Sequence, residues 1–223
     1  MSASSMPQSR FQVPVFPLPK LVMFPGTMLP LHIFEPRYRD MMRDCLAGES
    51  KLMAVTQLRP GWEPEYSGSP AIYEVAGVGS IEEHRLNADG TYDLVLRAFA
   101  RVRLEEQLPQ AQSYRQATAT LLRERATDSV NQDELAAVLA LANNISTIVK
   151  RALPGFALQT TQDDGPGLLS DRIADQFVLD PQARQDLLET LDVGARLRTL
   201  TTHLAQLHMA LCSNSGSGSP TLH

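Results

Sequence analysis

The chain has 223 residues, of which 43% are hydrophobic and 20% are charged, and its formal net charge is −5. Such a composition is typical of a globular protein with one large or two small cores. The negative charge argues against sequence-independent nucleic-acid binding, which needs a clustered basic surface. No run of about 18 apolar residues is present, so the sequence predicts no membrane-spanning helix.

The cysteines and the two ends of the chain indicate its surroundings. Cys45 and Cys212 are far apart, which predicts neither a disulfide framework nor a metal site and favours a reducing compartment. Residues 1–10 are polar and lack the apolar core of a secretory signal. We therefore expect a cytoplasmic protein, with disordered segments at 1–10 and at the Ser/Gly-rich 213–223.

Residues 11–127 combine strand-like runs with turns, which predicts a β-rich domain. The expected strands lie at 13–18, 28–34, 51–58, 72–86, 91–99 and 114–122, and Val102 and Leu104 continue the pattern of the fifth. The prolines in the first of them favour an edge strand or a strand end. A helix is predicted to begin at Pro36, where a missing N–H costs nothing, and to end near Gly48. Residues 87–90, Asn-Ala-Asp-Gly, predict a hairpin turn.

From Asn131 the hydrophobic period changes from two to about 3.6 residues, which predicts a helical domain over 128–212. Its first helix carries an apolar stripe over Leu135–Val149. Three later helix starts are indicated by N-cap residues: Ser170 or Asp171, then Asp180, then Asp192. The apolar stripe Leu197–Leu211 either forms a short coiled-coil seam or, as we favour, packs on the first stripe. The predicted fold class is α+β.

Several strings in the chain resemble the N-terminal domain of Lon proteases, in particular bacterial stand-alone proteins built from that domain alone. In the β-rich part the strings are FPLP at 16–19, VMFPG at 22–26, LPLHIFEPRYR at 29–39, GVG at 77–79 and RAFARV at 97–102. In the helical part they are LSDRIA at 169–174 and LLETLDVGARL at 187–197. The resemblance covers about residues 13–211.

The resemblance implies a PUA-like β pseudobarrel followed by a helical bundle, and a role in recognising protein substrates. The ATPase and peptidase of full-length Lon have no counterpart in this sequence. A phosphate-binding P-loop needs Gly-Lys-Ser/Thr, yet the lysines at 20, 51 and 150 are followed by Leu, Leu and Arg. The resemblance therefore implies substrate binding without Lon's catalysis.

The first candidate site is the apolar segment Met23, Phe24 and Pro25, together with the neighbouring methionines Met28, Met41, Met42 and Met53. Flexible thioether side chains can accept varied apolar partners, and a turn at Pro25-Gly26 would hold Phe24 at the surface. The alternative is that these methionines fill the core, which is the usual place of methionine.

Two further candidates are polar or aromatic. Arg37, beside Tyr38, either binds a partner's carboxylate or pairs with an acid near its own helix, and we favour the local pair. Trp62 and Tyr66 lie on the loop 59–70, where they either recognise a partner or fasten the loop to the barrel. The sequence leaves these two roles open.

Binding of RNA is the alternative function, because PUA-like folds include RNA binders. Its basis is a set of arginines on or near adjacent strands: Arg97, Arg101, Arg103, Arg115, Arg123 and Arg125. Without a basic excess or interleaved aromatic residues, a solvated sheet face is the favoured interpretation.

The sequence predicts no catalytic residue, no metal site and no cofactor. The histidines are scattered, and Ser80 lies in a strand-like run rather than in a nucleophile motif. Gly77 and Gly79 are expected to allow close strand packing or a bulge.

The leading prediction is a non-catalytic, adaptor-like module that binds exposed apolar protein segments weakly, at micromolar affinity at best. Its expected partners are unfolded polypeptide segments or a partner protein, with a separate protease or chaperone as a further candidate. Neither nucleic acid nor a membrane is an expected partner. The expected state is a monomer or a weak dimer.

Overall fold

The computed structural model describes residues 9–48, 50–66, 68–107, 112–126, 130–161 and 163–216. The chain divides into two compact units, residues 1–123 and 124–223. The predicted domain boundary at 127/128 lies outside the described residues, as do residues 1–8 and 217–223 of the predicted disordered ends. Within those ends, Arg10 begins the first strand and the last helix continues to Gly216.

The first unit is a rolled six-stranded sheet with one α-helix. Its elements are β1 (Arg10–Leu18), β2 (Met28–Ile33), α1 (Pro36–Ala47), β3 (Leu52–Gln57), a 3₁₀ turn (Glu63–Glu65), β4 (Val75–Leu86), β5 (Tyr92–Gln107) and β6 (Arg115–Leu122). The strand order is β2-β5-β4-β3-β1-β6, and β6 also pairs with β5. This last pairing closes β5, β4, β3, β1 and β6 into a ring, so the predicted barrel within an α+β fold is confirmed.

The prolines of β1 sit where this strand changes partners. Residues 10–15 of β1 pair antiparallel with β6, and residues 15–18 pair parallel with β3. Pro14 is aligned with Gln116 of β6 and Pro17 with Thr56 of β3. In these registers each proline is paired with one neighbouring strand instead of two. The sheet therefore does not need a backbone N–H from either proline. Of the two predicted alternatives, the edge strand is wrong, because β1 lies between β3 and β6, whereas Pro17 does lie next to the end of the strand at Leu18.

The long hairpin of β4 and β5 forms as predicted. Its turn is closed by hydrogen bonds from Asn87 N to Thr91 O and from Gly90 N to Asn87 O, both 2.9 Å long. A Cβ on Gly77 would lie 2.1 Å from the carbonyl oxygen of Met23, and one on Gly79 would lie 2.6 Å from that of Arg97. The two glycines thus permit close backbone approach, and a register shift lies at Gly79.

Helix α1 covers one of two hydrophobic clusters of the first unit. Pro36 is its first residue, Gly48 caps its end, and its buried face is Tyr38, Met41, Met42 and Cys45. These side chains pack with residues from five strands in one cluster. Valines and alanines of the sheet form the second cluster, which includes Val15, Val78 and Ala117. The alternation of strand side chains between the two faces separates the clusters.

The second unit is helical. Its helices are α2 (Gln132–Ala152), α3 (Pro166–Phe177), α4 (Pro181–Glu189) and α5 (Val193–Gly216). Helix α5 packs against α2, with Leu197, Leu200 and Leu204 fully buried. The packing favoured for the Leu197–Leu211 stripe is therefore confirmed. No helix in the described ranges is long and apolar enough to cross a membrane.

The predicted helix starts of this unit are partly wrong. Asp180 and Asp192 act as N-caps, accepting hydrogen bonds from Ala183 N at 2.7 Å and Ala195 N at 2.8 Å. Helix α3 instead begins at Pro166 after Gly165, so neither Ser170 nor Asp171 caps it.

Ser170 and Asp171 are buried inside α3 and face Arg196. The Nε of Arg196 donates to Ser170 Oγ at 2.9 Å and lies 3.5 Å from Asp171 Oδ1. Glu124 also binds this guanidinium. Arg196 is fully buried, and its charge is compensated by these groups. The cap-like residue types therefore serve a tertiary contact that lies 26 residues away along the chain.

Candidate functional site

A cavity of about 320 Å³ lies in the first unit, beside the start of α1. It is lined by Pro17, Arg37, Tyr38, Leu58, Tyr66 and Arg115, with residues 68–70, 113 and 114. Three of the eight predicted site residues, Arg37, Tyr38 and Tyr66, are among them. The cavity thus gathers residues from α1, β1, β6 and the loop at 59–70.

Glu35 connects Arg37 to Tyr66 at the cavity wall. It is the residue before α1, and its Oε2 accepts from Arg37 Nε at 3.0 Å and Nη2 at 2.9 Å. The Tyr66 hydroxyl donates to Glu35 Oε1 at 2.5 Å. The local pair favoured for Arg37 is therefore present, and it also fixes Tyr66.

The guanidinium of Arg37 lies against two aromatic rings. Its Cζ is 4.6 Å from the Tyr38 ring centroid and 5.2 Å from that of Tyr66, within the range of cation–π attraction. Burial lowers the pKa of Arg37, but Tyr38 and the paired Glu35 carboxylate outweigh it and raise the pKa overall. Burial and the hydrogen bond to Glu35 raise the pKa of Tyr66. Arg37 thus stays charged and held in place.

Tyr38 lines the cavity from the first turn of α1. Its side chain is 5% exposed, and its ring packs edge-on against Phe16 with centroids 4.5 Å apart. Burial raises the pKa of Tyr38 to about 12. Its hydroxyl makes no hydrogen bond with any residue in the described ranges.

Arg115 is the second cation of the cavity and is 7% exposed. Its Nη2 donates to the carbonyl oxygen of Pro70 at 2.7 Å. Burial lowers the pKa of Arg115, and the like charge of Arg37 lowers it further against an opposing effect of Tyr38. No carboxylate of the described part of the chain lies within 4.0 Å of its guanidinium.

The segment of Met23, Phe24 and Pro25 is buried, so the predicted exposure of Phe24 is wrong. Met23 is 1% and Phe24 0% exposed. The turn after Phe24 is fastened to β5, because Gly26 N donates to Ala98 O at 2.9 Å and Ala98 N donates to Thr27 O at 3.0 Å. The close approach to Gly77 draws the same segment onto β4. These side chains therefore belong to the core.

The remaining predicted residues differ in exposure. Met28 is 47% exposed on β2 and does not line the cavity. Trp62 is half-buried and packs edge-on against Tyr66, with ring centroids 5.3 Å apart. The other methionines of the cluster, Met41, Met42 and Met53, are fully buried. A methionine-rich binding surface is therefore not formed.

The arginines considered for RNA binding do not form one solvated face. Arg101 is 3% exposed and Arg115 is 7% exposed. Arg97 pairs with Glu82, with Nε and Oε1 2.9 Å apart. The expectation of a solvated sheet face is therefore wrong for Arg101 and Arg115, and the first of these has contacts within the fold.

A second, more open depression of about 580 Å³ borders β2, β4 and β5. Asp93 lies in it and binds His32 Nδ1 and Arg85 Nη2, each at 2.7 Å. These contacts, first that of His32, lower the pKa of Asp93. The carboxylate of Asp93 therefore already has binding partners within the sheet. No group of three or more potential metal ligands occurs in the described ranges.

Sequence reasoning missed the role of Arg115, although a signal was present. Residues 115, 117 and 119 of β6 alternate with more exposed neighbours and are all buried. The period of two would have placed Arg115 on the inward face with Ala117 and Ala119. What the alternation could not reveal is that α1 brings Arg37 and Tyr38 to the same place.

Comparison with known proteins places these features in a family. The family model of the ATP-dependent protease La (LON) substrate-binding domain matches residues 12–206. Lon protease 2 of Syntrophobacter fumaroxidans is 32% identical over 198 residues, which are 86% of this chain and 24% of that protein. Lon protease of Anaeromyxobacter dehalogenans is 29% identical, over 83% of this chain and 22% of its own length. The chain thus spans about a quarter of the curated relatives it matches.

Two solved structures have the same fold. The N-terminal domain of Mycobacterium avium complex Lon protease superimposes with a TM-score of 0.64 at 18% identity, covering 87% of this chain and 98% of that one. The Lon N-terminal domain protein from Xanthomonas campestris gives 0.62 at 24% identity, covering 86% and 98%.

Proposed function

This chain belongs to the family of the Lon substrate-binding domain, and we propose that it recognises protein substrates by binding their segments in the cavity beside α1. In this proposal it binds without catalysing a reaction. The matched family is that of the substrate-binding part of Lon, which supports a recognition role rather than that of the ATPase or the peptidase.

The observation that carries the proposal is the character of the cavity. Its volume of about 320 Å³ lies at the lower end of the range for ligand pockets, about 300–1,000 Å³. Apolar surface from Pro17, Leu58 and the tyrosine rings makes up only about half of the lining, and polar groups make up the rest. Two of the polar groups, the Tyr38 hydroxyl and the Arg115 guanidinium, are buried and have hydrogen-bonding capacity that no described residue uses. A concave site in which polar groups converge beside apolar surface is the usual place for a ligand.

The expected affinity is low. A segment that buries about 400 Å² of apolar area would gain roughly 10 kcal/mol at ~25 cal/mol per Å². Association costs of about 4–15 kcal/mol offset most of this gain. At most about 6 kcal/mol remains, which corresponds to dissociation constants of tens of micromolar at best and suits a protein that samples many unfolded chains.

The proposal includes a cellular setting. An adaptor of this kind would act in the cytoplasm, as monomer or weak dimer, and would pass bound chains to a separate protease or chaperone. The free thiols of Cys45 and Cys212 support a reducing compartment.

Trp62 provides a direct test, because it is the single tryptophan of the chain and contacts Tyr66 at the cavity. Titration with a reduced and alkylated, permanently unfolded model protein should change its fluorescence saturably, at micromolar concentration. A folded form of the same protein is the matched ligand control. An unchanged spectrum and no binding in an independent assay would contradict the proposal.

Variants locate the binding. Tyr66→Ala should weaken capture of a dye-labelled unfolded ligand, measured by fluorescence anisotropy, by about tenfold, the equivalent of ~1.4 kcal/mol. Leu86→Ser is the control, because Leu86 is an apolar side chain 60% exposed that does not line the cavity. Equal loss in both variants would show that binding is a general property of apolar surface.

A further inference from the structure

We propose that the cavity binds the carboxyl-terminal residue of a protein chain, with the terminal carboxylate between Arg115 and Tyr38. The inference rests on the proposed function and names the part of the substrate that enters. It is carried by the charges in the cavity, by its unused hydrogen-bond donors and by its size.

The two cations of the cavity differ in their partners. Arg37 binds Glu35 through two nitrogens, at 2.9 and 3.0 Å. Arg115 binds only the neutral carbonyl of Pro70 and has no acidic partner in the described part of the chain. A buried charge is costly unless it is paired. Among the described residues the positive charge of Arg115 is therefore uncompensated, and an anionic ligand would neutralise it.

Tyr38 adds a second donor at the same place. Tyr38 and Arg115 are both more than nine-tenths buried and line the same cavity. The hydroxyl of Tyr38 and the remaining N–H groups of Arg115 are donors without acceptors among the described residues. A carboxylate has two oxygens that accept from such donors, and charge-assisted hydrogen bonds of this kind are short and strong.

The size of the cavity distinguishes a chain end from an acidic side chain. A cavity of about 150 Å³ holds one benzene ring, and this cavity has about 320 Å³. The side chain of Asp or Glu would leave much of that space and of the apolar wall empty. A terminal residue carries its carboxylate and an apolar side chain on the same α-carbon, so it satisfies the donors and fills the space together. The ligand class is thus a free carboxyl terminus with an apolar last residue.

The test uses three labelled peptides and the full chain. The first ends in an apolar residue with a free carboxylate, the second is its carboxyl-terminal amide, and the third is the amide with one internal Glu. The free acid should bind about tenfold more tightly than the amide, since only the acid forms charge-assisted hydrogen bonds with the two donors. The third peptide should bind like the amide.

The results separate this inference from the proposed function. Equal binding of acid and amide would overturn the terminal-carboxylate site but would be consistent with the proposed binding of protein segments. Binding of the internal Glu peptide as tightly as the free acid would overturn it in favour of an acidic side chain. Failure of every peptide and of the unfolded model protein would remove the proposed function as well.

Variants assign the effect to the two donors. Arg115→Gln should reduce the preference for acid over amide to about twofold or less. Tyr38→Phe removes only the hydroxyl and should reduce the same preference without weakening the amide. Tyr92→Phe is the matched control, because Tyr92 is a buried tyrosine of the same cluster outside the cavity lining. If Arg115→Gln does not fold, Tyr38→Phe carries the test, and an unchanged preference in it would overturn the role of Tyr38.

Discussion

The loops at residues 19–27 and 59–70 look alike in sequence, since each combines proline, glycine and aromatic residues. The two loops differ in how far their aromatic side chains are buried. In the first loop Phe24 is completely buried. In the second loop Trp62 is half-buried and Tyr66 lines the cavity.

The difference lies in how each loop is attached. The first loop is hydrogen-bonded through its backbone to β5 and lies against Gly77 of β4. Met23 packs in the cluster under α1, and Phe24 is buried as well. The second loop has a backbone hydrogen bond that joins its own two ends, from Arg59 N to Ala71 O, and it is attached to α1 through the side chains of Tyr66, Glu35 and Arg37. Backbone hydrogen bonds to a neighbouring strand make the first loop part of the core, whereas side-chain contacts hold the second loop as a wall of the cavity.

The largest expected effect is the loss of stability when the buried side chain of Phe24 is removed from the first loop. Phe24→Ala should lower the free energy of unfolding by about 3–5 kcal/mol, because it removes a buried ring and leaves a cavity. Urea denaturation measures this loss. Met28→Ala, at an exposed position nearby in sequence, should cost about 0.5 kcal/mol or less. A loss below about 1 kcal/mol for Phe24→Ala would indicate that the Phe24 side chain is exposed at the surface.

A second variant tests the contact that holds the first loop. Gly77→Ala places a methyl group where the Met23 carbonyl lies 2.1 Å away, and should cost about 1–3 kcal/mol through overpacking. Gly155→Ala is the control, because a Cβ there meets no atom within 4 Å. Equal stability of the two variants in denaturant would show that the loop is not pressed against β4.

The third prediction concerns pH at the cavity. Folded Tyr38 keeps its proton until its pKa of about 12, whereas in the unfolded chain it loses the proton near pH 10. The unfolded state then binds fewer protons, so stability that is present below pH 10 falls as the pH rises to 12, by about 2 kcal/mol. Tyr38→Phe should flatten this fall in denaturation curves. Parallel pH profiles for the two proteins would contradict the burial of Tyr38.

The smallest expected effect concerns the hydrogen bond that attaches the second loop to the residue before α1. Tyr66→Phe removes the hydroxyl that binds Glu35 and should cost about 1 kcal/mol, since the pair is partly exposed. A double-mutant cycle with Glu35→Ala isolates the pair, because alanine has no acceptor for the Tyr66 hydroxyl, and a coupling energy above about 0.5 kcal/mol is expected. Additive effects would mean that another contact holds this loop.

Local sequence patterns predicted much of the fold because they report local physics. The features that were predicted correctly depend on residues close in sequence: the strand alternation, the start of α1 at Pro36, the Asp-Gly hairpin turn, and the caps at Asp180 and Asp192. Ser170 and Asp171 resembled caps, but their partner is Arg196, which no local pattern reveals.

The candidate site was predicted only in part for the same reason. Arg37, Tyr38 and Tyr66 stood out by residue type and position. Their meeting with Arg115 depends on β6 lying beside the start of α1. Burial of Phe24 likewise depends on hydrogen bonds to Ala98, far away in sequence. Such long-range contacts require the folded chain.

Photo-crosslinking would show where on the molecule protein segments bind. An unfolded peptide ending in a benzophenone-bearing residue with a free carboxylate would be irradiated with the full chain, and the adducts would be mapped by mass spectrometry. If segments bind in the cavity beside α1, adducts should lie within residues 58–70 and 113–115 and should be lost upon competition with unlabelled peptide. Competed adducts confined to β2 and the open depression at His32 and Arg85 would exclude binding in the cavity.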